Sequence, residues 1–401
     1  MKNKALLVLL PILSITLTSC GQVKNYKEHL EDYVYDKLTY HNDFNILQLT
    51  DIHWNANSST TASKKYLEKV LAEADRKIKA EQGANAKIDL IEITGDLFML
   101  ANAYHVDTFV KFFEKQAVKY GFTYTIIWGN HDRHGLYNPN WLSNKFKKAK
   151  HCIYMEPNDN LYGRSNFVIN LVDELDHTSV RWQIANLDSG ASFSETSVSP
   201  FKDYDYIRKD QTEWWVLEHE KANETVGIPG FEVPTIAYYH IPQDENEKAW
   251  QAVLKDNTVY KNQFFRLEEF AANESEEYAS NFIDEGSKHN LKAAFMGHAH
   301  NVDWTVEYRE ANWTVEQQNV VIGLGVKTGT ELYFAHIDAQ STDEATKMGL
   351  DSLQTPITEN FDLIGASLVT LKDTLGNFDL EHLYLNERST GDFVSWQKWK
   401  W

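Results

Sequence analysis

Five short apolar runs, each long enough for one buried strand, end on a side chain that binds metal ions, and no other feature constrains the fold of this chain so tightly. Ile46 to Thr50 runs into Asp51 and His53, Ile91 to Thr94 into Gly95-Asp96, and Tyr124 to Trp128 into Gly129-Asn130-His131-Asp132. Thr235 to Tyr239 runs into His240, and Ala293 to Met296 into Gly297-His298-Ala299-His300. Buried strands read as continuous apolar stretches, and open α/β sheets gather ligands at the carboxyl ends of their strands. The pattern therefore predicts that Asp51, His53, Asp96, Asn130, His240, His298 and His300 converge on one dinuclear metal site. Asp51 and His53 stand two apart, as do His298 and His300, so extended backbone projects each pair to one side. Mixed imidazole, carboxylate and amide donors suit Zn, Mn, Fe or Co better than Ca or Mg, and the lack of a matching Cys speaks against a thiolate structural zinc.

Between the first three runs the period changes. Tyr66, Leu67, Val70, Leu71, Ala74 and Ile78 recur at helical spacing within 63–80, as do Phe109, Val110 and Phe113 within 106–118. Helices alternating with strands imply βαβ units around an interior sheet. After Gly297 the pattern turns strand-rich, over 302–308, 319–326, 331–336, 366–372 and 378–385, and a second sheet is expected to close the sandwich there. The tail 396–401 mixes Trp with Lys in a strand-like way and is expected to pair with a sheet edge. Residues 192–200, rich in Ser and Thr, read as a loop over the site entrance; 338–360 is polar without periodicity. At 42% hydrophobic and 13% aromatic residues, the chain has the core material of a globular protein.

Asp-x-His, Gly-Asp, Gly-Asn-His-Asp, a lone His and Gly-His-x-His, in this order, resemble the calcineurin-like metallophosphoesterases. The resemblance implies a four-layer α/β/β/α sandwich of two mixed sheets flanked by helices, with a small phosphate ester as substrate. It implies that Asp96 bridges two divalent or trivalent ions (Mn, Zn, Fe or Co), with Asp51, His53 and His300 on one and Asn130, His240 and His298 on the other. Two ions about 3.5 to 4 Å apart clamp a phosphoryl group and ionise water near neutral pH, so the implied reaction is hydrolysis by a metal-activated hydroxide. His131 matches the family's general acid for the leaving oxygen. Asp132 is expected to orient it, and Arg133 and His134 to contact substrate phosphate. Segments 182–190, 204–207 and 210–215, with His240-Ile241-Pro242 and Ala249-Trp250, resemble the purple-acid-phosphatase-like branch, which favours monoesters over diesters. A phosphodiesterase acting on nucleotides or lipid head groups would carry the same ligands. A surface lipoprotein that binds without turnover would keep the fold but is expected to have lost ligands, whereas every position is filled here.

Lys2 and Lys4 precede an apolar stretch from Ala5 to Leu17, too short for a membrane span, and Leu17-Thr18-Ser19-Cys20 followed by Gly21 is a bacterial lipobox. Residues 1–19 are expected as a signal peptide and Cys20 as the lipidated residue that anchors the protein on the outer side of the bacterial cell membrane. Residues 20–42 then form a tether or N-terminal extension and 43–401 one catalytic domain. With Cys20 acylated, Cys152 has no disulfide partner. Loss of Lys2 and Lys4 takes the net charge from −19 to −21, an acidic balance that opposes nucleic acid as a partner. The basic stretch Lys145-Phe146-Lys147-Lys148-Ala149-Lys150 reads as a solvated helix face.

Coloured purple acid phosphatases carry a tyrosinate in a Gly-Asp-x-x-Tyr block and lack the early Asp-x-His; here Met99 stands three after Asp96 and His53 is present. Iron-loaded protein is therefore expected to show no tyrosinate band in its visible spectrum. An intense band that vanished on mutating a tyrosine would contradict this.

Overall fold

All five apolar runs are strands, and they divide between two sheets. The structure, a computed structural model, describes residues 25–54, 58–133, 139–157, 160–191, 204–255, 263–266, 280–300, 302–329, 363–386 and 394–400. The first half of the chain forms strands β1 (Val34–Thr39) and β2 (Phe44–Leu49), helix α1 (Ser58–Gln82), β3 (Leu90–Thr94), α2 (Ala103–Tyr120), β4 (Thr123–Ile127), α3 (Pro139–Phe146), β5 (Cys152–Ile153), β6 (Phe167–Val172) and β7 (Val180–Asn186). Then come α4 (Lys209–Val226), β8 (Thr235–Tyr238), α5 (Asp244–Lys255), β9 (Gln263–Arg266), α6 (Phe282–Lys288), β10 (Leu291–Met296), β11 (Val302–Tyr308) and β12 (Val320–Leu324). Strands β13 (Leu363–Leu371), β14 (Phe378–Asn386) and β15 (Val394–Lys400) complete the described elements.

The first sheet has the order β15-β14-β13-β2-β3-β4-β5, parallel from β2 to β5 and antiparallel from β2 outward through β15. The second has the order β1-β6-β7-β8-β10-β12-β11-β9 and is parallel across β7, β8, β10 and β12. Alternation along the strands decides what each face meets. Ile184 of β7, Ile236 and Tyr238 of β8 and Phe295 of β10 share one buried cluster with Ile46 of β2 and with Leu67, Val70 and Leu71 of α1. Their neighbours Ala185, Ala237 and Ala294 turn the other way and pack with Trp214, Trp215, Phe282 and Ile283 of α4 and α6. The layers are therefore helix, sheet, sheet, helix. Each fully buried Leu, Ile or Phe stabilises this stack by about 1.5–3 kcal/mol.

Within the expected tether or extension at 20–42, the described residues are part of the fold. From Asn25 onward the chain is built into the fold: Tyr26, Leu30 and Tyr33 are buried, the Tyr33 ring lies 5.3 Å from Trp214, and β1 pairs in parallel with β6. The segment looks polar because β1 is an edge strand whose residues are exposed or half-buried, without the continuous apolar run of a central strand. The second sheet differs from expectation. Strands β11 and β12 join it, but β13, β14 and β15 extend the first sheet beside β2, because apolar patterning reports burial and not the choice of sheet. The tail strand β15 does pair with β14 at the sheet edge. Helix α3 ends at Phe146, so Lys147 to Lys150 follow the helix; Lys145 pairs with Asp107 at 2.6 Å and Lys147 with Glu156 at 3.2 Å. The expected signal peptide, Cys20, the strand at 331–336, the loop at 192–200 and the stretch 338–360 lie outside the described residues.

Glu218 of α4 is buried, and burial pushes its carboxyl up to about 8. The native state therefore holds a proton that the unfolded chain releases near its ordinary value of 4.5, so stability falls as pH rises from there towards 8. Glu218→Gln is expected to raise the melting temperature at pH 8.5, by on the order of 2 kcal/mol in stability, and to leave it little changed at pH 4.5. An equal shift at both values, measured by calorimetry, would contradict the assignment.

Candidate metal centre

Every ligand loop leaves the carboxyl end of a parallel strand, β2, β3 and β4 on one sheet and β8 and β10 on the other, and the two sets face each other across the sheet seam. Backbone hydrogen bonds lock the loops together. Asp51 N donates to Gly95 O at 3.2 Å, His53 N to Asp96 O at 3.0 Å, and Gly297 N to His240 O at 3.1 Å. Asp51, His53, Asp96 and His298 all have positive φ, at 52°, 50°, 50° and 74°. Non-glycine residues rarely adopt this region, at a cost of about 1–3 kcal/mol each, and it persists where the surroundings over-determine it. The glycines before the ligands have a steric reason: a Cβ on Gly95 would strike the His240 ring, and one on Gly129 would strike the Asp96 carboxylate.

The seven predicted ligands come together. Ligand atoms of Asp51, His53, Asp96 and His300 all lie within 4.8 Å of one another, and those of Asp96, His240 and His298 do likewise. Asp96 belongs to both groups, and Asn130 Oδ1 stands 3.0 Å from His240 Nε2. Asp51, His53, Asp96, Asn130 and His240 are buried, while His298 and His300 are half-buried. Two buried ligand atoms, Asp96 Oδ2 and His298 Nε2, have no hydrogen-bond partner, although buried polar atoms are almost always partnered. Cations held by the two groups would give each atom a partner, and the imidazole–carboxylate set fits a borderline divalent metal.

Second contacts fix which atom of each ligand is offered. His240 Nδ1 donates to Thr94 O at 2.9 Å, because a carbonyl can only accept, so Nε2 faces Asn130 Oδ1 and, at 3.3 Å, Asp96 Oδ1. Asp51 Oδ2 accepts from Thr50 Oγ1 at 2.6 Å and His298 N at 3.0 Å, leaving Oδ1 facing His300 Nε2 at 3.1 Å. Burial, reinforced by neighbouring imidazoles, pushes His53 and His298 down to about 3, so both rings are neutral ligands at neutral pH. Burial opposes charge on His240 too, but Asp96 beside it raises it to about 9. Against their own burial, Asp51 is held below the carboxylate range by His300, and Asp96 by His240.

His131 stands at the rim. Its backbone N–H donates to Asp96 Oδ1 at 2.9 Å, and its ring, half-exposed, lies 5.1 Å from that of His53. The buried carboxylate of Asp132 accepts from Phe98 N and Gly129 N, both at 2.9 Å, and so ties the Phe98 and Gly129 loops together. Burial and the nearby Asp96 push it up to about 7 against those two donors. Arg133 is turned onto the fully buried carboxylate of Asp188. His134 lies outside the described residues. Sequence reasoning singled out neither Asp188 nor Tyr204, whose ring lies 4.4 Å from that of His298; both sit in the segments that carry the phosphatase resemblance.

The calcineurin-like phosphoesterase family model matches residues 44–302, an interval that holds all seven ligands and His131. No curated protein matches the chain.

Metal binding to these ligands should stabilise the fold by mass action, about 2.7 kcal/mol at a hundredfold excess over Kd. Mn or Zn is expected to raise the melting temperature of the wild type, and a chelator to reverse the gain. Asp96→Ala, which removes the ligand common to both groups, is expected to lose most of the increment. An undiminished metal-dependent rise in that variant would refute the shared-ligand geometry.

Proposed function

We propose, because this chain belongs to the calcineurin-like phosphoesterase family, that it hydrolyses phosphate monoesters at a two-metal centre with His131 as general acid. The chain is a phosphoric ester hydrolase; the choice of monoester, the number of ions and the role of His131 are the proposal. The observation that carries it is the single carboxylate Asp96 shared by two ligand groups, with His131 hydrogen-bonded to that same carboxylate through its backbone.

When bound, ions at these ligands supply Lewis acidity towards phosphoryl oxygens and lower the pKa of water. The chain's own residues do the rest. Asp51, His53 and His300 would hold one ion and Asn130, His240 and His298 the other, with Asp96 available to both. His131, exposed enough to reach substrate, holds the proton that the leaving alkoxide takes as the P–O bond breaks, a contribution of about 10²- to 10⁴-fold. Arg133 is committed to the buried carboxylate of Asp188. Monoester preference is supported by the phosphatase-like segments, which bring Asp188 and Tyr204 to the site. We place the protein on the outer face of the bacterial membrane through Cys20, on the strength of the lipobox and the charged start of the chain. No helix among the described residues is long and apolar enough to cross a membrane.

Protein loaded with Mn or Zn is expected to cleave para-nitrophenyl phosphate faster than its bis-ester, and to lose turnover in Asp96→Ala and, most of all on alkyl phosphates, in His131→Ala, but not in Cys152→Ser. Faster cleavage of the bis-ester would move the assignment to a phosphodiesterase. Bound metal with hydrolysis of neither ester would overturn it.

A further inference from the structure

The segment that leaves β7, Leu187 to Gly190, touches several metal-bearing loops at once. Asp188 Oδ1 receives the Arg133 guanidinium and, at 2.9 Å, Gly190 N. Its Oδ2 accepts from Arg164 N at 2.6 Å and Ser165 N at 3.4 Å. Ser165 Oγ in turn accepts from Trp128 N at 3.2 Å, two residues before Asn130. Ser189 Oγ accepts at 2.9 Å from Ile241 N, next to His240, and Gln211 Nε2 donates to Asp188 O at 2.7 Å. Asp188 is thus a rigid, fully buried anchor, and the side chain it holds belongs to the His131 loop.

His131, Asp132 and Arg133 form a single short 3-10 turn. Asp132 is pinned to Phe98 and Gly129 by backbone amides, Arg133 to Asp188 by an ion pair, and His131 stands between them. A three-residue turn has no slack: a shift at either neighbour rotates the histidine. The Arg133 guanidinium meets Asp188 Oδ1 through Nη2.

We propose that the Asp188–Arg133 pair is a positioning device for the His131 imidazole, setting its aim at the leaving oxygen; this rests on the reading of His131 as general acid. A pair that only held the fold together would affect every substrate alike. A pair that aims a general acid affects most the esters whose leaving alkoxide most needs a proton. Misplacement by about 1 Å is enough to cost about 10²-fold in rate.

The test compares kcat for glycerol 2-phosphate, a poor leaving group, with kcat for para-nitrophenyl phosphate, a good one, in the Mn-loaded full chain. His131→Ala serves as reference. Asp188→Asn is expected to lower kcat on the alkyl ester about 10²-fold and on the aryl ester less than about 5-fold, with metal content unchanged. Arg133→Lys, which keeps the charge without the guanidinium, is expected to show the same selectivity with a smaller loss, and it carries the test alone if Asp188→Asn does not fold. Equal losses on both esters, or none, while His131→Ala remains selective, would sink this inference and leave the general acid standing. If His131→Ala is itself unselective, or the wild type cleaves neither ester, the general-acid reading fails and the inference falls with it.

Discussion

Two carboxylates, Asp51 and Asp96, are held out of water at the seam between two sheets, and the rest of the centre follows from that. Moving a carboxylate from water into a protein interior costs several kcal/mol unless opposite charge and hydrogen bonds answer it. Here the answer is a shell of imidazoles drawn from both sheets, with the backbone amides of His131 and His298 bonded directly to the carboxylates. Parallel strands of both sheets deliver these groups from one direction. Glycine at the closest approaches and positive φ at four ligands let the loops come near enough. Such an arrangement is coherent around a bound cation and costly without one.

Elsewhere the protein treats buried acids differently. Glu92 and Glu245 are fully enclosed, and burial raises both well above the ordinary carboxyl range; Glu218 behaves alike. At these positions burial disfavours the charged form. Asp51 and Asp96 are equally enclosed but are shifted downward, because imidazoles surround them. The contrast separates a site that recruits positive charge from interior positions that merely avoid negative charge.

The convergence of the seven candidate ligands was legible in the sequence because chemistry and strand period coincide: each of the seven follows an apolar run, and a family pattern gave their order. Helices α1 and α2 were equally plain from their periodicity. Sheet membership was not, since the burial that makes β13 and β14 apolar is the same in either sheet. Strand β1 escaped because an edge strand needs no apolar run. Asp132 and Asp188 show the deeper limit. Both are polar residues in loops, and their roles depend on backbone amides of Phe98, Gly129, Arg164 and Gly190 that only the folded chain brings near. Spacing along the chain carries no trace of such contacts.

Anomalous diffraction from crystals of the Mn-loaded protein tests the central claim most directly. The account predicts two peaks about 3.5 to 4 Å apart, both in bonding contact with Asp96 and flanked by His53 and His300 on one side and His240 and His298 on the other. A single peak, or a pair that Asp96 does not join, would contradict it.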